Sequence, residues 1–236
     1  METPLRSLIV NADDFGQSPG VNRGIVQARE KGIVTSTSLM VRWPAAREAA
    51  AYARRNPEFS VGLHLDFCEW TYRDGTWKPL HEVVSLSDGP AAEAEVWRQV
   101  EAFEVLVGKP PTHLDSHQHM HLRPPVLPRV ETIAATLGVP LRRRSSQVRY
   151  CGDFYGQLEH GEPFPEGVSV ERLLGILQAL PEGYTELGCH PGFAGDLGTM
   201  YGREREMELA VLCDPAIRTA IQSSGINLCS FAGLGG

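Results

Sequence analysis

Histidine and aspartate cluster in one short stretch, residues 112–123, which reads THLDSHQHMHLR. This stretch holds four of the chain's eight histidines, His113, His117, His119 and His121. In an extended chain alternate side chains share a face, so Asp115 would lie beside His113 and His117. A helical turn after Ser116 would instead bring His117 and His121 onto one face. Either arrangement collects imidazoles and a carboxylate, which suits a divalent metal ion. The alternative is a polar loop with unrelated histidines.

Further polar side chains stand where apolar runs end. Asp13 and Asp14 follow one such run, and His64 and His190 each lie near the end of another. Two adjacent carboxylates repel each other unless a cation or an arginine neutralises one of them, although an Asp pair also suits a turn. Each histidine, taken alone, would fit a hydrogen-bonded core position. Cys189 and His190 cannot act as nucleophile and base, because neighbouring side chains on a strand face opposite ways.

Apolar runs alternate with helical patterns along the chain, which indicates βα units and a parallel sheet. Strands are predicted at residues 7–12, 33–41, 59–67, 139–142, 184–190 and 226–231, with the histidine-rich stretch as a further strand. Helices are predicted from the N-cap Ser18 to Gly32 and at residues 44–55, 91–107, 125–137, 170–180, 203–212 and 215–223. Residues 68–90 and 145–168 have no regular period and are predicted to be long loops.

This alternation predicts an α/β fold, a single irregular (β/α) barrel with about seven parallel strands that spans residues 1–236 as one domain. The polar residues lie at or near the carboxyl ends of predicted strands, where barrel enzymes carry their active sites. They are Asp13, Asp14, His64, Asp115, His117, Arg142 and His190. The glycines at positions 16, 20 and 24 lack the GxGxxG spacing, so a dinucleotide-binding Rossmann site is not predicted.

Composition narrows the class of protein. With 42% hydrophobic and 22% charged residues the chain has an ordinary globular composition, and its formal net charge of -7 argues against a nucleic-acid partner. No apolar run is long enough to span a membrane, and the first residues do not have the pattern of a signal peptide. Five cysteines without CxxC spacing are expected to be reduced thiols, which favours a cytoplasmic location.

Five motifs, taken together and in this order, resemble the ChbG/YdjC carbohydrate deacetylases, a family that includes chitooligosaccharide deacetylases and a hopanoid-associated branch. They are IVNADDFGQSPGVNRGI at 9–25, GIVTSTSLM at 32–40, VGLHL at 61–65, KPPTHLDSHQHMH at 109–121 and CHPGF at 189–193. The resemblance covers nearly the whole chain. It implies a distorted (β/α) barrel that removes N-acetyl groups from sugars with the help of a metal.

The resemblance also implies roles for individual residues. The metal ligands would be Asp14, His64 and His117, the catalytic base Asp13, the general acid His190, and the arginine that orients the base Arg142. Asp115, His119 and His121 would surround the site or touch the substrate. Apart from the resemblance, Trp70, Tyr72 or Trp77 could stack on a sugar ring, with ordinary packing as the alternative. The chain departs from the family pattern at Gln118, where some members carry a third consecutive histidine, and in its compact length of 236 residues.

One divalent metal ion is therefore expected, with Mg²⁺ or Zn²⁺ favoured and Mn²⁺, Co²⁺ and Ni²⁺ as alternatives. The expected partner is a small N-acetylated sugar or oligosaccharide, and a homodimer is compatible with the sequence. One alternative function is a metal phosphoesterase with a second metal and His113, His119 or His121 as further ligands. The other is a catalytically inactive sugar- or metal-binding protein, against which the intact Asp13 and His190 argue.

Overall fold

The computed structural model describes residues 5–234. In that range there are nine strands: β1 Arg6–Phe15, β2 Ser36–Leu39, β3 Ser60–Leu65, β4 Cys68–Arg73, β5 Thr76–Glu82, β6 Leu114–Ser116, β7 Val148–Cys151, β8 Gly183–Cys189 and β9 Asn227–Cys229. The same range has seven α-helices: α1 Pro19–Lys31, α2 Ala46–Arg55, α3 Gly89–Val107, α4 Leu127–Leu137, α5 Val170–Gln178, α6 Arg203–Leu212 and α7 Pro215–Ser223. A short 3-10 segment, His117–Leu122, follows β6 directly.

Seven of the strands form one parallel sheet with β1 at its centre. The hydrogen-bonded order is β6-β3-β2-β1-β8-β7, and β9 pairs with the first half of β1. β1 is buried over almost its whole length, which is why Leu8, Ile9 and Val10 follow one another without an alternating polar residue. Within the described range the end strands β6 and β7 do not pair, so the barrel stays open between them. The predicted distorted (β/α) barrel with about seven parallel strands is confirmed.

The register of the sheet brings polar residues together at one edge. Ala12 of β1 pairs with Cys189 of β8, so Asp13 and His190 leave the sheet as neighbours. On the other side of β1, His64 of β3 pairs with Asp115 of β6. Parallel strands end at the same edge, and the predicted polar residues are therefore collected there.

Local sequence signals set the limits of several helices. The Ser18 hydroxyl accepts a hydrogen bond of 3.1 Å from the backbone N–H of Val21, and Pro19 occupies the first helical position of α1. Helices α3 and α4 end at Gly108 and Gly138, which have φ angles of +83° and +68°. Glycine enters this left-handed region without steric cost, and both helices therefore end where the sequence predicts.

Helix α1 approaches the site-bearing edge of the sheet through a glycine. A Cβ atom added to Gly24 would lie 2.4 Å from the Cα of Gly192, two residues beyond His190. A side chain at position 24 would therefore displace the turn after β8. In α5, by contrast, a Cβ atom at Gly175 would meet nothing within 4 Å.

Three segments differ from the sequence predictions. Residues 68–90, expected to be a loop, contain the antiparallel hairpin β4–β5. Residues 139–142, expected to be a strand, make only an isolated parallel bridge between Leu141 and Leu114. The expected loop at 145–168 contains β7. The hairpin escaped prediction because β5 is largely exposed and lacks the alternation of buried and exposed side chains that marks a half-buried strand.

One cluster of buried apolar side chains joins the sheet to the helices around it, from Leu8 on β1 to Phe103 on α3 and Ile221 on α7. Burial of this surface is the main favourable contribution to folding. None of the helices within residues 5–234 combines the length and the apolar character needed to cross a bilayer.

Candidate active site

Asp13 and Asp14 end β1 in different backbone conformations. The pairing of β1 with β2 is irregular between Ala12 and Phe15, and Asp14 has a φ angle of +69°. Aspartate is among the few residue types that tolerate this left-handed conformation. The change of conformation turns the two neighbouring carboxylates toward different partners.

Asp13 is bound by a buried arginine. Arg142 donates two hydrogen bonds to it, from Nη1 to Oδ2 at 2.6 Å and from Nη2 to Oδ1 at 2.7 Å. Asn11 donates a third bond to Oδ1 at 2.8 Å. Burial alone would raise the pKa of Asp13, but Arg142 lowers it below its ordinary value. Asp13 is therefore ionised, and its orientation is fixed by a two-point contact.

Arg142 serves two further carboxylates. Its Nη2 lies 2.7 Å from Oδ2 of Asp115, and its Nε donates to Oε1 of Glu186 at 2.7 Å. Burial raises the pKa of Glu186 to about 7, against the opposing effect of Arg142. One guanidinium therefore organises three acidic side chains, one each from or beside β1, β6 and β8.

Asp14, His64 and His117 converge on one point. The Oδ1 atom of Asp14 lies 3.3 Å from Nε2 of His64 and 3.1 Å from Nδ1 of His117. Nδ1 of His64 lies 2.8 Å from Oδ1 of Asp115, within hydrogen-bond distance, which fixes the ring and leaves Nε2 facing Asp14. The other oxygen of Asp14, Oδ2, accepts a bond of 2.6 Å from Nη2 of Arg205. Only one oxygen of Asp14 is thus free to face the two imidazoles.

This trio fits a divalent metal ion. One ligand atom from each of the three residues lies within 4.8 Å of the other two. Ligand atoms about 2.1 Å from a shared ion stand roughly 3.0–3.4 Å apart, close to the separations seen here. Nε2 of His64 is buried and has no hydrogen-bond partner within the described residues. Burial lowers the pKa of His64, but Asp115 outweighs it and raises the value to about 10, so the site favours positive charge.

A second grouping, Asp13 with His64 and Asp115, is less suited to a metal. Arg142 already occupies both oxygens of Asp13 and Oδ2 of Asp115. Oδ1 of Asp115 is taken by Nδ1 of His64. The lone pairs that a metal would need are therefore engaged in other contacts. Asp13 and Asp115 instead help to position the Asp14–His64–His117 group through His64 and Arg142.

His190 lies beside Asp13 and a buried glutamate. Its Nε2 is 3.8 Å from Oδ2 of Asp13, and its Nδ1 is 3.6 Å from Oε1 of Glu208. Glu208 is fully buried and also accepts hydrogen bonds from the backbone N–H of His190 and the hydroxyl of Tyr201. Burial lowers the pKa of His190, but Glu208 outweighs it, so the net shift is upward. The ring is therefore suited to carrying a proton.

The remaining histidines of the 117–121 stretch do not converge on this point. Nδ1 and Nε2 of His121 lie 2.7 Å from the Ser116 hydroxyl and 3.2 Å from the Arg142 carbonyl oxygen, so His121 supports the backbone of Arg142. His119 packs edge-on against Tyr150 at a ring distance of 5.3 Å. The 3-10 segment, with φ angles of +50° at Gln118 and +54° at His119, explains this divergence. His117 and His121 consequently face different groups.

The candidate metal ligands, Asp13 and His190 open into one cavity of about 1350 Å³. Its wall includes Asp13, Asp14, His64, His117 and His190, and the hairpin contributes Trp70 and Trp77. Tyr72 is not among the lining residues of the described range. Its ring packs against Trp77 at 5.5 Å and stacks on His160 at 4.3 Å. The volume exceeds that of most drug-sized pockets and is large enough for more than one sugar ring.

Sequence reasoning missed three charged residues of the site. Arg205 and Glu208 lie on α6, and Glu186 lies on β8. In sequence, α6 reads as a charged helix, which suggests a solvent-exposed face. A helix that buries its charged residues has no distinctive period, so only the pairing of these charges in three dimensions reveals their role.

Comparison with known proteins shows which family this chain resembles. A family model described as YdjC-like protein matches residues 7–223. A carbohydrate deacetylase of Geobacillus stearothermophilus is 34% identical, over 96% of this chain and 97% of its own length. A chitooligosaccharide deacetylase of Serratia marcescens is 35% identical, over 96% of this chain and 98% of its own length.

Solved structures share the fold. A crystal structure of an Enterococcus faecalis V583 protein, assigned provisionally to cellobiose-phosphate cleavage, has a TM-score of 0.79 and 25% identity, covering 98% of this chain and all of that one. A family 4 carbohydrate esterase of Streptomyces lividans, in complex with acetate, has a TM-score of 0.57 and 13% identity, covering 97% and 93%. With a family model spanning most of its length and relatives aligned almost end to end, the chain belongs to the YdjC-like protein family.

Proposed function

We propose that this chain is a carbohydrate deacetylase that hydrolyses the acetamide of an N-acetylated sugar with the help of one divalent metal ion. The observation that carries the proposal is that Asp13, His190 and the Asp14–His64–His117 group line one cavity, with Asp13 close to both His64 and His190. Hydrolysis of an amide needs an activated water, a polarised carbonyl and a proton for the leaving amine. The names of the relatives from Geobacillus stearothermophilus and Serratia marcescens support this assignment.

Asp14, His64 and His117 would hold the metal. A bound divalent ion supplies Lewis acidity, which polarises a carbonyl and lowers the pKa of water. One carboxylate and two imidazoles leave several metals open, among them Mg²⁺, Zn²⁺, Mn²⁺, Co²⁺ and Ni²⁺. Arg205 and Asp115 hold the outward-facing atoms of Asp14 and His64, so the ligand atoms are oriented before any ion binds.

Asp13 is the proposed base. Arg142 keeps it ionised, and the contacts to Oδ1 from both Arg142 and Asn11 leave Oδ2 as the less occupied oxygen. Oδ2 is also the oxygen that faces His190. This atom would take the proton of the attacking water, because it alone of the two has only one bonded donor.

His190 is the proposed acid. Nε2 faces the cavity side of Asp13, while Glu208 lies beside Nδ1 and stabilises the protonated ring. Nε2 would donate its proton to the leaving nitrogen, which cannot depart as an anion. After one turnover the proton taken up by Asp13 and the proton lost from His190 balance.

The alternative functions have less support. A phosphoesterase with two metals would need more free ligands, but His113 and His121 are already hydrogen-bonded to Ser38 and Ser116. Both candidate metal groups within residues 5–234 use the same His64. A binding protein would not need Asp13 to be oriented so tightly.

The decisive experiment is an acetate-release screen. N-acetylglucosamine, chitooligosaccharides and other N-acetylated glycosides are incubated with metal-free protein to which single divalent metals are added back. We expect acetate from at least one sugar, only in the presence of a metal. Release of phosphate from phosphate esters without release of acetate from any sugar would refute the proposal.

A further inference from the structure

The β4–β5 hairpin is attached to the candidate metal site by one side-chain amide. Gln118 follows the candidate ligand His117, and its Oε1 accepts the backbone N–H of Trp70 at 2.9 Å. Its Nε2 donates to the carbonyl oxygen of Trp70 at 2.8 Å. The two bonds imitate those of a neighbouring strand, so Gln118 fixes both the distance and the direction of the hairpin.

The residue before Trp70, Glu69, carries a carboxylate that has no role in the proposed catalytic steps. Glu69 is only 5% exposed and lines the cavity. No group within residues 5–234 donates a hydrogen bond to it, and its nearest basic neighbour, Nδ1 of His81, is 4.0 Å away. Nε2 of His81 in turn lies 3.0 Å from Oδ1 of Asp66. Within residues 5–234 its oxygens are not among the buried polar atoms that lack a partner, so they are open to the cavity and can accept hydrogen bonds from a ligand.

A bulge explains how Glu69 and Trp70 both reach the cavity. Consecutive residues of a regular strand face opposite ways, yet both side chains line the same wall. The register of the hairpin shifts between these two residues. Bulges redirect side chains and are common beside active sites. The hairpin thus presents an aromatic ring and a carboxylate side by side, a combination that suits the apolar face and the hydroxyl groups of a sugar.

We propose that Glu69 recognises the substrate by accepting hydrogen bonds from sugar hydroxyl groups, and that Gln118 is the positioning residue that holds it there. This inference rests on the proposed deacetylase function and assigns a specificity-determining role that the catalytic groups do not fill. The contact between Gln118 and Trp70 places Glu69 and His117, their preceding neighbours, close together. The recognised hydroxyls therefore belong to the ring that bears the scissile acetamide or to the ring next to it.

The test compares Glu69→Gln and Gln118→Ala with the control Glu82→Gln, an exposed residue on the same hairpin. Binding of di-N-acetylchitobiose and of its fully deacetylated form is measured by calorimetry on metal-free protein, which separates recognition from turnover. Kinetic constants are measured with metal for the disaccharide and for p-nitrophenyl acetate, which has no sugar ring.

We expect Glu69→Gln to weaken binding of both disaccharides by roughly tenfold, since an amide is a poorer acceptor than a carboxylate. Gln118→Ala should raise KM for the disaccharide while metal content is retained, and Glu82→Gln should behave as wild type. For both site variants the loss on the disaccharide should exceed the loss on p-nitrophenyl acetate by about tenfold.

Three results would overturn the inference. Weakened binding of the deacetylated form alone would assign Glu69 to an ammonium group. Equal losses on both kinetic substrates would indicate a structural role, and wild-type binding in Glu69→Gln would remove it from recognition. A wild-type protein that releases no acetate from any sugar would refute the proposed function instead, so the two failures are distinguishable.

Discussion

Two chemically identical residues at the end of β1 meet different surroundings. Asp13 is enclosed by Arg142 and Asn11, and Asp14 faces two imidazoles and Arg205. The left-handed conformation of Asp14 separates them, because it redirects one side chain relative to its neighbour. At the scale of the residue, a backbone angle therefore gives two chemically equal carboxylates different partners.

Replacing either aspartate by asparagine should separate base from ligand. We expect Asp13→Asn to keep the metal and to lower kcat by roughly 10²–10⁴-fold, because an amide cannot take a proton. Asp14→Asn should weaken metal affinity by about tenfold or more, with activity partly restored by excess metal. Asparagine also tolerates the left-handed conformation, so both variants should fold.

The measurement is a metal titration of each variant with acetate release followed in parallel. Loss of metal from Asp13→Asn, with full occupancy in Asp14→Asn, would show that the two roles are reversed. Near-normal turnover of metal-loaded Asp13→Asn would exclude Asp13 as the base.

Glu186 should make stability depend on pH. Burial raises its pKa from the ordinary 4.5 to about 7, so the folded state favours the protonated form. The stabilisation is complete below pH 4.5 and is lost as the pH rises through 7. Glu186→Gln should remove this dependence, which is on the order of 3 kcal/mol between pH 5 and pH 8. Urea unfolding of metal-free protein at pH 5 and at pH 8 gives the free energy of unfolding at each pH. If this free energy changes between the two pH values as much in Glu186→Gln as in wild type, Glu186 is not the cause of the pH dependence.

The sequence located part of the site because strand ends are visible in it. Asp14, His64 and His117 were expected at strand ends and do lie within reach of one ion. Asp115 was expected near the site, but its bonds to His64 and Arg142 depend on pairing between distant strands. Arg205 and Glu208 of α6 could not be predicted for the same reason, because the sequence alone does not show which charged residues will be buried together.

At the scale of the element, most strands of the parallel sheet and several helix ends were predictable from local sequence patterns. Apolar runs marked the strands of the parallel sheet, and caps marked the ends of α1, α3 and α4. The hairpin did not follow, because its second strand is exposed and is ordered by pairing with the first strand, which Gln118 binds at Trp70. Such a segment has no signature of its own in the sequence.

Two glycine-to-alanine substitutions should have opposite effects. Gly24→Ala places a methyl group against the backbone of Gly192 and should destabilise the fold by roughly 1–3 kcal/mol while displacing His190. Gly175→Ala lies in open space within α5 and should stabilise it by about 0.5–1 kcal/mol. Thermal unfolding and acetate release measure both effects. Equal stability changes in the two variants would refute the close contact between α1 and the turn after β8.

At the scale of the molecule, the proposed metal would join distant parts of the chain. Its ligands come from the end of β1, from β3 and from the segment after β6. A metal at 100 times its Kd should add about 2.7 kcal/mol to the stability, which for a protein of this size raises Tm by roughly 5–10 °C. Calorimetry of metal-free and reloaded protein measures the shift.

Two histidine variants control this measurement. His117→Ala should abolish the metal-dependent rise in Tm, and His160→Ala, an exposed residue outside both candidate metal groups, should preserve it. A rise of wild-type size in His117→Ala would show that the ion binds elsewhere.

The central position of β1 also matters for the synthesis of the chain. β1 is translated before all its partners, and two of them, β8 and β9, are the last strands of residues 5–234 to be made. Until they emerge from the ribosome, this apolar strand has an edge without hydrogen-bond partners, which invites wrong pairing with other nascent chains. Chains terminated before β8 should consequently aggregate or be held by chaperones, because this side of β1 stays unpaired until β8 and β9 have been made.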